Sequence, residues 1–139
     1  MDFSKVKLVV TDMDGTLLNS KSEVSDTFFN LYKKLKDQNI KFIAASGRQY
    51  FSIVDRFESI KNEITIVAEN GAFAMHGDNE LFTLELPSAY ISKSINILRK
   101  LESVYIVLCG KKCAYIETKD EAFISMFKNY YSEYTIVDD

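Results

Sequence analysis

The sequence has few of the residues that build metal centres and disulfide frameworks. It contains two cysteines, one histidine, one proline and no tryptophan. Cys109, Cys113 and His76 cannot supply the four ligands of a structural zinc site, so a zinc finger is excluded. The Cys-x3-Cys spacing could close a small loop through a disulfide, but a reducing cytosol disfavours that bond. We interpret the two cysteines as independent thiols.

Long apolar runs and blocks of a single charge are also absent. Twenty acidic and 17 basic side chains give a net charge of -3, and no basic block is present, so nucleic-acid binding is not predicted. Apolar runs such as Leu8 to Val10 and Phe42 to Ala45 are far shorter than the roughly 20 residues that cross a bilayer. No apolar signal segment follows Met1, and we predict a cytoplasmic protein.

The first 86 residues alternate between strand-like and helix-like patterns. Three apolar runs rich in β-branched residues predict strands at residues 6–11, 40–45 and 64–68. A helix is predicted to begin after the N-cap Ser25 and to end at Asn39, and a second helix to span Tyr50 to Phe57. Turn residues near position 78 indicate a hairpin that extends the sheet. This alternation predicts an α/β fold with a Rossmann-like parallel sheet.

The single proline, Pro87, marks a change in pattern. After it, apolar spacing predicts a helix, two strands joined by a tight turn, a second helix around residues 120–130 and the start of a further strand at Tyr134. The prediction is therefore two domains. Residues 1–86 form part of a core, and residues 87–139 form a small, partial α+β domain.

Two acidic side chains follow the first predicted strand. Asp12 and Asp14 lie at its carboxyl end, where open parallel sheets bind their ligands. Gly15 allows the sharp turn that would bring both carboxylates to one small site. One would act as a nucleophile and the other as an acid or base. A divalent cation would offset their mutual repulsion, and oxygen ligands favour Mg²⁺.

A candidate anion site follows the second predicted strand. Ser46, Gly47 and Arg48 open a helix, so the hydroxyl and nearby amides are placed to bind an anion such as phosphate. Asn70 follows the third strand at the same edge of the sheet. Each of these residues also fits a plainer role: Ser46 as a helix N-cap, Arg48 in a surface ion pair, and Asn70 within its own turn.

These motifs resemble those of a known family. Residues 12–16, Asp-Met-Asp-Gly-Thr, match the DxDGT signature of haloacid dehalogenase-like (HAD) phosphatases, and Ser46-Gly47-Arg48 matches their second motif. The resemblance extends over nearly the whole sequence. The loop at residues 70–72, the hairpin after it and the segment after Pro87 resemble the Cof-type branch, which carries a type IIB cap.

The resemblance implies a magnesium-dependent phosphatase that acts on a small phosphorylated metabolite, such as a sugar phosphate or a cofactor phosphate. Asp12 would attack phosphorus and form an aspartyl phosphate, and Asp14 would act as acid and then as base. Mg²⁺ would bind the Asp12 carboxylate and the Asp14 carbonyl. A hexose phosphomutase similar to phosphomannomutase is the alternative. The implied phosphate- and substrate-binding residues are Thr16, Ser46, Gly47, Arg48 and Asn70.

The family also uses a lysine and further aspartates that follow the cap in chain order. None of Lys111, Lys112, Lys128 or the terminal Asp138-Asp139 has their setting. Without outer neighbours, the first strand would be an exposed apolar edge, which invites pairing. The 139 residues are therefore predicted to be a poorly active fragment of a longer protein. The alternative is an incompetent half-domain that needs a complementary segment or associates with itself through this edge.

Overall fold

The structure, a computed structural model, describes residues 4–138, which form two compact units that divide between Thr83 and Leu84. Residues 1–3 and Asp139, which the predicted domains include, lie outside the described residues. Each unit has its own cluster of buried apolar side chains. No helix within the described range has the length and apolar character that a membrane span requires. The predicted cytoplasmic location stays a prediction.

The first unit is a five-stranded sheet with two α-helices. Its strand order is β1-β2-β3-β4-β5, in which β1, β2 and β3 are parallel and the β3–β4 and β4–β5 pairs are antiparallel. The predicted α/β fold with a hairpin extension is thus confirmed. The elements are β1 (Leu8–Asp12), α1 (Asp26–Asp37), β2 (Lys41–Ala45), α2 (Tyr50–Val54), β3 (Thr65–Ala68), β4 (Phe73–His76) and β5 (Asn79–Thr83).

Local sequence signals account for the bounds of α1. The Ser25 hydroxyl oxygen accepts a hydrogen bond from the Phe28 amide at 3.3 Å, which satisfies one of the free N–H groups of the first turn. Asn39 adopts a left-handed conformation with φ 55° and ends the helical segment. Both predicted ends of this helix are confirmed.

The prediction that the second helix extends to Phe57 is wrong. Helix α2 ends at Val54, and the backbone continues with hydrogen bonds to the third preceding residue, from Arg56 to Ile53 and from Phe57 to Val54. These tighter turns still bury Phe57, which is 0% exposed. The apolar spacing therefore identified a buried segment but not the change in helical pitch.

One face of the first sheet carries the core. Alternate side chains of β2 and β3, such as Phe42 and Ile66, are buried against α1 and α2. The Phe42 ring lies 4.9 Å from the Phe28 ring and 6.2 Å from the Phe57 ring, measured between centroids. This packing fixes the helices on one side of β2 and β3. The strand ends that precede the candidate site are therefore held by the core.

Strand β1 is an edge strand in the described part of the chain. It pairs with β2 alone there, and its side chains Leu8 and Val10 are 48% and 56% exposed. Val9, between them, packs against the buried cluster. The expected exposed apolar edge is present, and unpaired strand edges of this kind favour association with another strand.

The second unit is a three-stranded sheet with two α-helices. Its strand order is β6-β7-β8, with β6 and β7 antiparallel and β7 and β8 parallel. The predicted succession of helix, two strands, helix and strand is observed. Its elements are α3 (Ser88–Leu98), β6 (Val107–Cys109), β7 (Ala114–Ile116), α4 (Glu121–Phe127) and β8 (Tyr134–Ile136).

The two cysteines of the second unit form no disulfide, as predicted. The sulfur of Cys109 lies 3.4 Å from the Tyr131 hydroxyl oxygen, and that of Cys113 lies 3.8 Å from the Thr135 hydroxyl oxygen. The tight turn between β6 and β7 is closed by a backbone hydrogen bond from Gly110 to Cys113. A disulfide is therefore not needed to hold this hairpin.

We expect Val10→Lys to reduce self-association of the 139-residue chain. A lysine on an edge strand opposes strand pairing, and the exposure of Val10 makes the change cheap for folding. Light scattering over a concentration series measures the association. Val9→Lys is the matched control, because a charge placed against the core should lower the urea midpoint. A wild-type chain that stays monomeric throughout the series would contradict the role of this edge.

Candidate active site

The carboxyl ends of the three parallel strands meet at one edge of the sheet. The register aligns Asp12 with Ala45, and Ala45 with Val67. The Ser46 amide donates a hydrogen bond to the Val67 carbonyl at 2.9 Å, and the Asn70 amide donates to the Ser46 carbonyl at 3.3 Å. The structure therefore brings together the three loops that the sequence marks as chemically informative.

The turn after β1 is wide and irregular. The Leu18 amide donates to the Met13 carbonyl at 2.9 Å, which closes a π-type turn. Inside it, Asp14 is extended and Gly15 has a φ of 73°, a conformation that favours glycine. Met13 is fully buried, whereas both neighbouring aspartates, Asp12 and Asp14, are exposed. The buried methionine anchors the turn and leaves both acids at the surface, consistent with the frequent use of such turns at functional sites.

Asp14 is held by a two-point ion pair with Arg48. The arginine Nε donates to Oδ2 at 2.7 Å, and Nη2 donates to Oδ1 at 2.6 Å. The Arg48 side chain is 2% exposed and that of Asp14 is 46% exposed. The hydrogen bonds from Arg48 lower the pKa of Asp14 from its ordinary value, against the opposing effect of partial burial. Arg48 is thus a buried partner of Asp14 and does not form a surface ion pair.

Asp12 differs from Asp14 in having its carboxylate open. The side chain is exposed and makes no hydrogen bond or ion pair with any residue from 4 to 138. Its backbone carbonyl accepts from the Thr11 hydroxyl at 2.9 Å. Thr16 is also exposed, and its hydroxyl has no protein partner in the same range. A carboxylate in this setting is accessible to an incoming electrophile.

The loop after β2 offers two hydrogen-bond donors. The Ser46 hydroxyl oxygen accepts from the Arg48 amide at 3.2 Å, which leaves the hydroxyl proton available to donate elsewhere. The exposed Gly47 amide has no protein partner in the described part of the chain. Ser46 is not the N-cap of α2, because that position is taken by Gln49. A candidate anion site therefore consists of the Ser46 hydroxyl and the Gly47 amide.

Asn70 lies against Gly47. A Cβ atom built on Gly47 would lie 2.6 Å from the Asn70 Oδ1 atom and 3.2 Å from its Cγ atom. Asn70 has a φ of 54°, which asparagine tolerates better than most residues. The Glu69 amide also donates to the Arg48 carbonyl at 3.0 Å. Asn70 is thus more than part of its own turn, and the loops after β2 and β3 support each other.

Arg56 is a charged residue near the site that the sequence prediction missed. Its Nε donates to the Ser22 carbonyl at 3.0 Å, and its Nη1 contacts the Ser52 carbonyl and hydroxyl oxygens. It thereby ties the loop after β1 to α2. Burial lowers the pKa of Arg56, with the nearby Arg48 charge acting in the same direction. Arg48, Ser52 and Arg56 are spaced four residues apart, and residues with this spacing are neighbours on one face of a helix. This spacing is the sequence signal that could have indicated Arg56.

The donors near the turn fit a magnesium ion. The Asp12 carboxylate and the Asp14 carbonyl are hard oxygen ligands, the type that Mg²⁺ prefers. Residues 4–138 contain no cluster of three or more histidine, cysteine, aspartate or glutamate residues suited to a metal. Mg²⁺ commonly keeps several waters and binds through one or two carboxylates together with substrate phosphate. The arrangement therefore matches a partly hydrated ion and not a closed protein cage.

Comparison with family models identifies the family of this chain. A family model for haloacid dehalogenase-like hydrolases matches residues 9–139. The chain belongs to the haloacid dehalogenase-like hydrolases. This confirms the family that the DxDGT signature of residues 12–16 indicates.

Two similar proteins match nearly the whole of this chain. The Escherichia coli K12 protein named 5-amino-6-(5-phospho-D-ribitylamino)uracil phosphatase YbjI is 35% identical over 135 residues, which cover 96% of this chain and 50% of that protein. The crystal structure of SMU.1108c from Streptococcus mutans UA159 is 28% identical with a TM-score of 0.89, and the match covers 97% of this chain and 52% of that one.

A HAD subclass IIB sugar phosphatase, BT4131, shares the fold. Its TM-score is 0.76 at 16% identity, and the match covers 94% of this chain and 51% of that one. The chain thus spans about half the length of the relatives that it matches. At this identity the likeness shows a shared fold over the matched region.

We expect Gly47→Ala to displace the Asn70 carboxamide. The added methyl group would overlap the Oδ1 atom, and the exposed asparagine can relieve the overlap by rotating. The side-chain amide signals of Asn70 in a ¹H–¹⁵N spectrum should therefore move. Ser46→Ala is the matched control, since it alters the adjacent residue without adding volume towards Asn70. Unchanged Asn70 signals in Gly47→Ala would contradict the contact.

Proposed function

We propose that the protein hydrolyses phosphate monoesters of small metabolites and that Asp12 is its nucleophile. The observation that carries the proposal is the contrast between two neighbouring acids of the HAD signature. Asp12 is exposed and without a protein partner among the described residues, whereas Asp14 is fixed by Arg48. Two carboxylates in different environments suit two different chemical roles.

In the first step, an Asp12 carboxylate oxygen attacks phosphorus and the bond from phosphorus to the ester oxygen breaks. The products are an aspartyl phosphate and the leaving alcohol, which takes its proton from Asp14 in the acid form. Dividing hydrolysis between two displacements replaces one difficult step by two easier ones. The Ser46 hydroxyl and the Gly47 amide are the donors that would hold the phosphoryl oxygens.

In the second step, water attacks the phosphorus of the intermediate while Asp14 accepts its proton. The bond from phosphorus to the Asp12 oxygen breaks, which releases phosphate and restores the free carboxylate. Arg48 favours the ionised form of Asp14, and this is the form that accepts a proton from water. The ion pair between Asp14 and Arg48 therefore favours the second step, hydrolysis of the aspartyl phosphate.

Mg²⁺ is the metal that the donor set would take. The Asp12 carboxylate and the Asp14 carbonyl would hold it, and when bound it would offset negative charge on the phosphoryl group and on Asp12. The protein contributes the shape of the turn that presents these oxygens, which depends on Gly15 and on the burial of Met13.

Two observations support the proposed substrate class: the family and the name of one relative. The Escherichia coli relative is named for 5-amino-6-(5-phospho-D-ribitylamino)uracil, a phosphate ester on a sugar-alcohol chain that bears a heterocycle. We propose a substrate of this chemical kind, a phosphorylated polyol or sugar with or without a base. That compound is the first to be assayed, with hexose phosphates beside it.

We further propose that the second half of the HAD core is required for full activity. The relatives are about twice as long as the matched region, and the resemblance to HAD phosphatases implies a lysine and additional aspartates after the cap. Loss of electrostatic stabilisation of a phosphoryl group commonly lowers kcat by about 100- to 1,000-fold. The isolated 139 residues should therefore turn over poorly compared with the protein as its gene encodes it.

Asp12→Asn should abolish phosphatase activity in the protein as its gene encodes it. An amide is too weak a nucleophile to form the intermediate, and we expect kcat to fall by more than about 1,000-fold. Chelation of divalent metal should remove activity, and added Mg²⁺ should restore it. Phosphate release from p-nitrophenyl phosphate, the ribitylaminouracil phosphate and hexose phosphates measures both effects.

Asp26→Asn is the control for this experiment. Asp26 is an exposed acid in the first turn of α1, so its substitution should leave kcat near that of the wild type. Retention of activity in Asp12→Asn would refute the nucleophile. Transfer of the phosphoryl group of one hexose phosphate to another, which gives a hexose bisphosphate and free hexose without release of phosphate, would instead support the phosphomutase alternative.

A further inference from the structure

The contact between Arg48 and Asp14 has an unusual distribution of exposure. The guanidinium group lies inside the protein with 2% of the side chain exposed, while its carboxylate partner reaches the surface with 46% exposed. Both Asp14 oxygens are engaged, each by a different arginine nitrogen, at 2.6 and 2.7 Å. Parallel hydrogen bonds of this kind fix both the position and the orientation of a carboxylate.

Arg48 is itself fixed by the two neighbouring loops. Its amide donates to the Ser46 hydroxyl oxygen, and its carbonyl accepts from the Glu69 amide at 3.0 Å. The residue is thus supported through the ends of β2 and β3, strands whose alternate side chains are buried in the core. Asp14, by contrast, lies in an irregular turn at the end of the edge strand β1. The ion pair therefore connects Asp14, at the end of the edge strand, to Arg48, which is held by the ends of β2 and β3.

We infer that Arg48 is a positioning residue, which orients the Asp14 carboxylate for proton transfer and does not bind the substrate phosphate in the resting enzyme. The inference rests on the proposed function, since it assigns a role within that reaction. The geometry carries it, because Nε and Nη2 are both directed at Asp14 and the side chain is almost wholly buried. An arginine that recognises phosphate would instead present its nitrogens to the open site beside Ser46 and Gly47.

A positioning role and a phosphate-binding role predict different kinetics. Loss of a phosphate ligand weakens substrate binding and raises KM. Loss of orientation at an acid or base slows the chemical step and leaves substrate binding largely unchanged. We therefore expect Arg48→Ala to lower kcat by about 100-fold, with KM within about threefold of the wild type.

Two further measurements separate positioning from general damage to the fold. Arg48→Lys retains the positive charge but cannot form two parallel hydrogen bonds, so its kcat should also stay well below that of the wild type. Guanidinium ion added to Arg48→Ala can occupy the vacated position and pair with Asp14, and should raise kcat at least about tenfold. A side chain that matters only for folding would show no such rescue.

Arg99→Ala is the matched control. Arg99 also pairs with a carboxylate, that of Glu117, but it lies in the second unit, and its Nε is 3.0 Å from Oε1. The kcat of the Arg99→Ala variant should remain near the wild-type value and should not rise when guanidinium is added. All variants are assayed in the protein as its gene encodes it, with Mg²⁺ and p-nitrophenyl phosphate, after urea titration has verified folding.

The outcomes distinguish the two levels of the proposal. An active wild type, a reduced kcat in Arg48→Ala and Arg48→Lys, and guanidinium rescue support the positioning role. An active wild type with an increased KM and unchanged kcat in Arg48→Ala would overturn it in favour of phosphate binding, and unchanged kinetics would overturn it outright. A wild type without phosphatase activity would refute the proposed function and with it this role.

Discussion

The parallel register of β1, β2 and β3 is the constraint on which the candidate site depends. By aligning Asp12 with Ala45 and Ala45 with Val67, it sets the ends of three strands side by side. The contacts that join these loops, including the ion pair between Asp14 and Arg48, then lie between neighbouring strand ends. Asp14 and Arg48 are 34 positions apart in the sequence. They come within hydrogen-bond distance because β1 and β2 are paired strands.

The site consists of buried supporting residues and exposed acidic residues. Met13, Ser46 and Arg48 are buried, and they support an outer layer in which Asp12 and Asp14 face solvent. A buried support limits the movement of the exposed groups, as catalytic side chains require. The cost is a charged guanidinium inside the protein, which is stable there because it is paired and hydrogen-bonded.

Much of the fold was predictable because its signals are local. The Ser25 N-cap, the left-handed Asn39 and the β-branched runs of the three parallel strands each follow from neighbouring residues. The end of α2 was predicted wrongly, since Phe57 keeps helical apolar spacing while the backbone changes to tighter turns. A periodic apolar pattern reports which side chains are buried and is insensitive to such a change.

The sequence predicted which residues form the candidate site but not which of their side chains contact each other. The positions of Asp12, Ser46 and Asn70 after successive strands follow from the sequence and from the topology of parallel sheets. The choice of Arg48 as the partner of Asp14, and the position of Asn70 against Gly47, depend on side-chain directions across neighbouring loops. Such contacts join residues more than 20 positions apart, and no local pattern encodes them.

Trapping of a phosphorylated Asp12 is the measurement that tests the central claim most directly. The protein as its gene encodes it would be mixed with substrate and Mg²⁺, quenched in acid and reduced with borohydride, which converts an acyl phosphate to an alcohol. Peptide mass spectrometry should then find homoserine in place of aspartate at position 12 and nowhere else. Reduction at another residue, or turnover with position 12 unmodified throughout, would contradict the account.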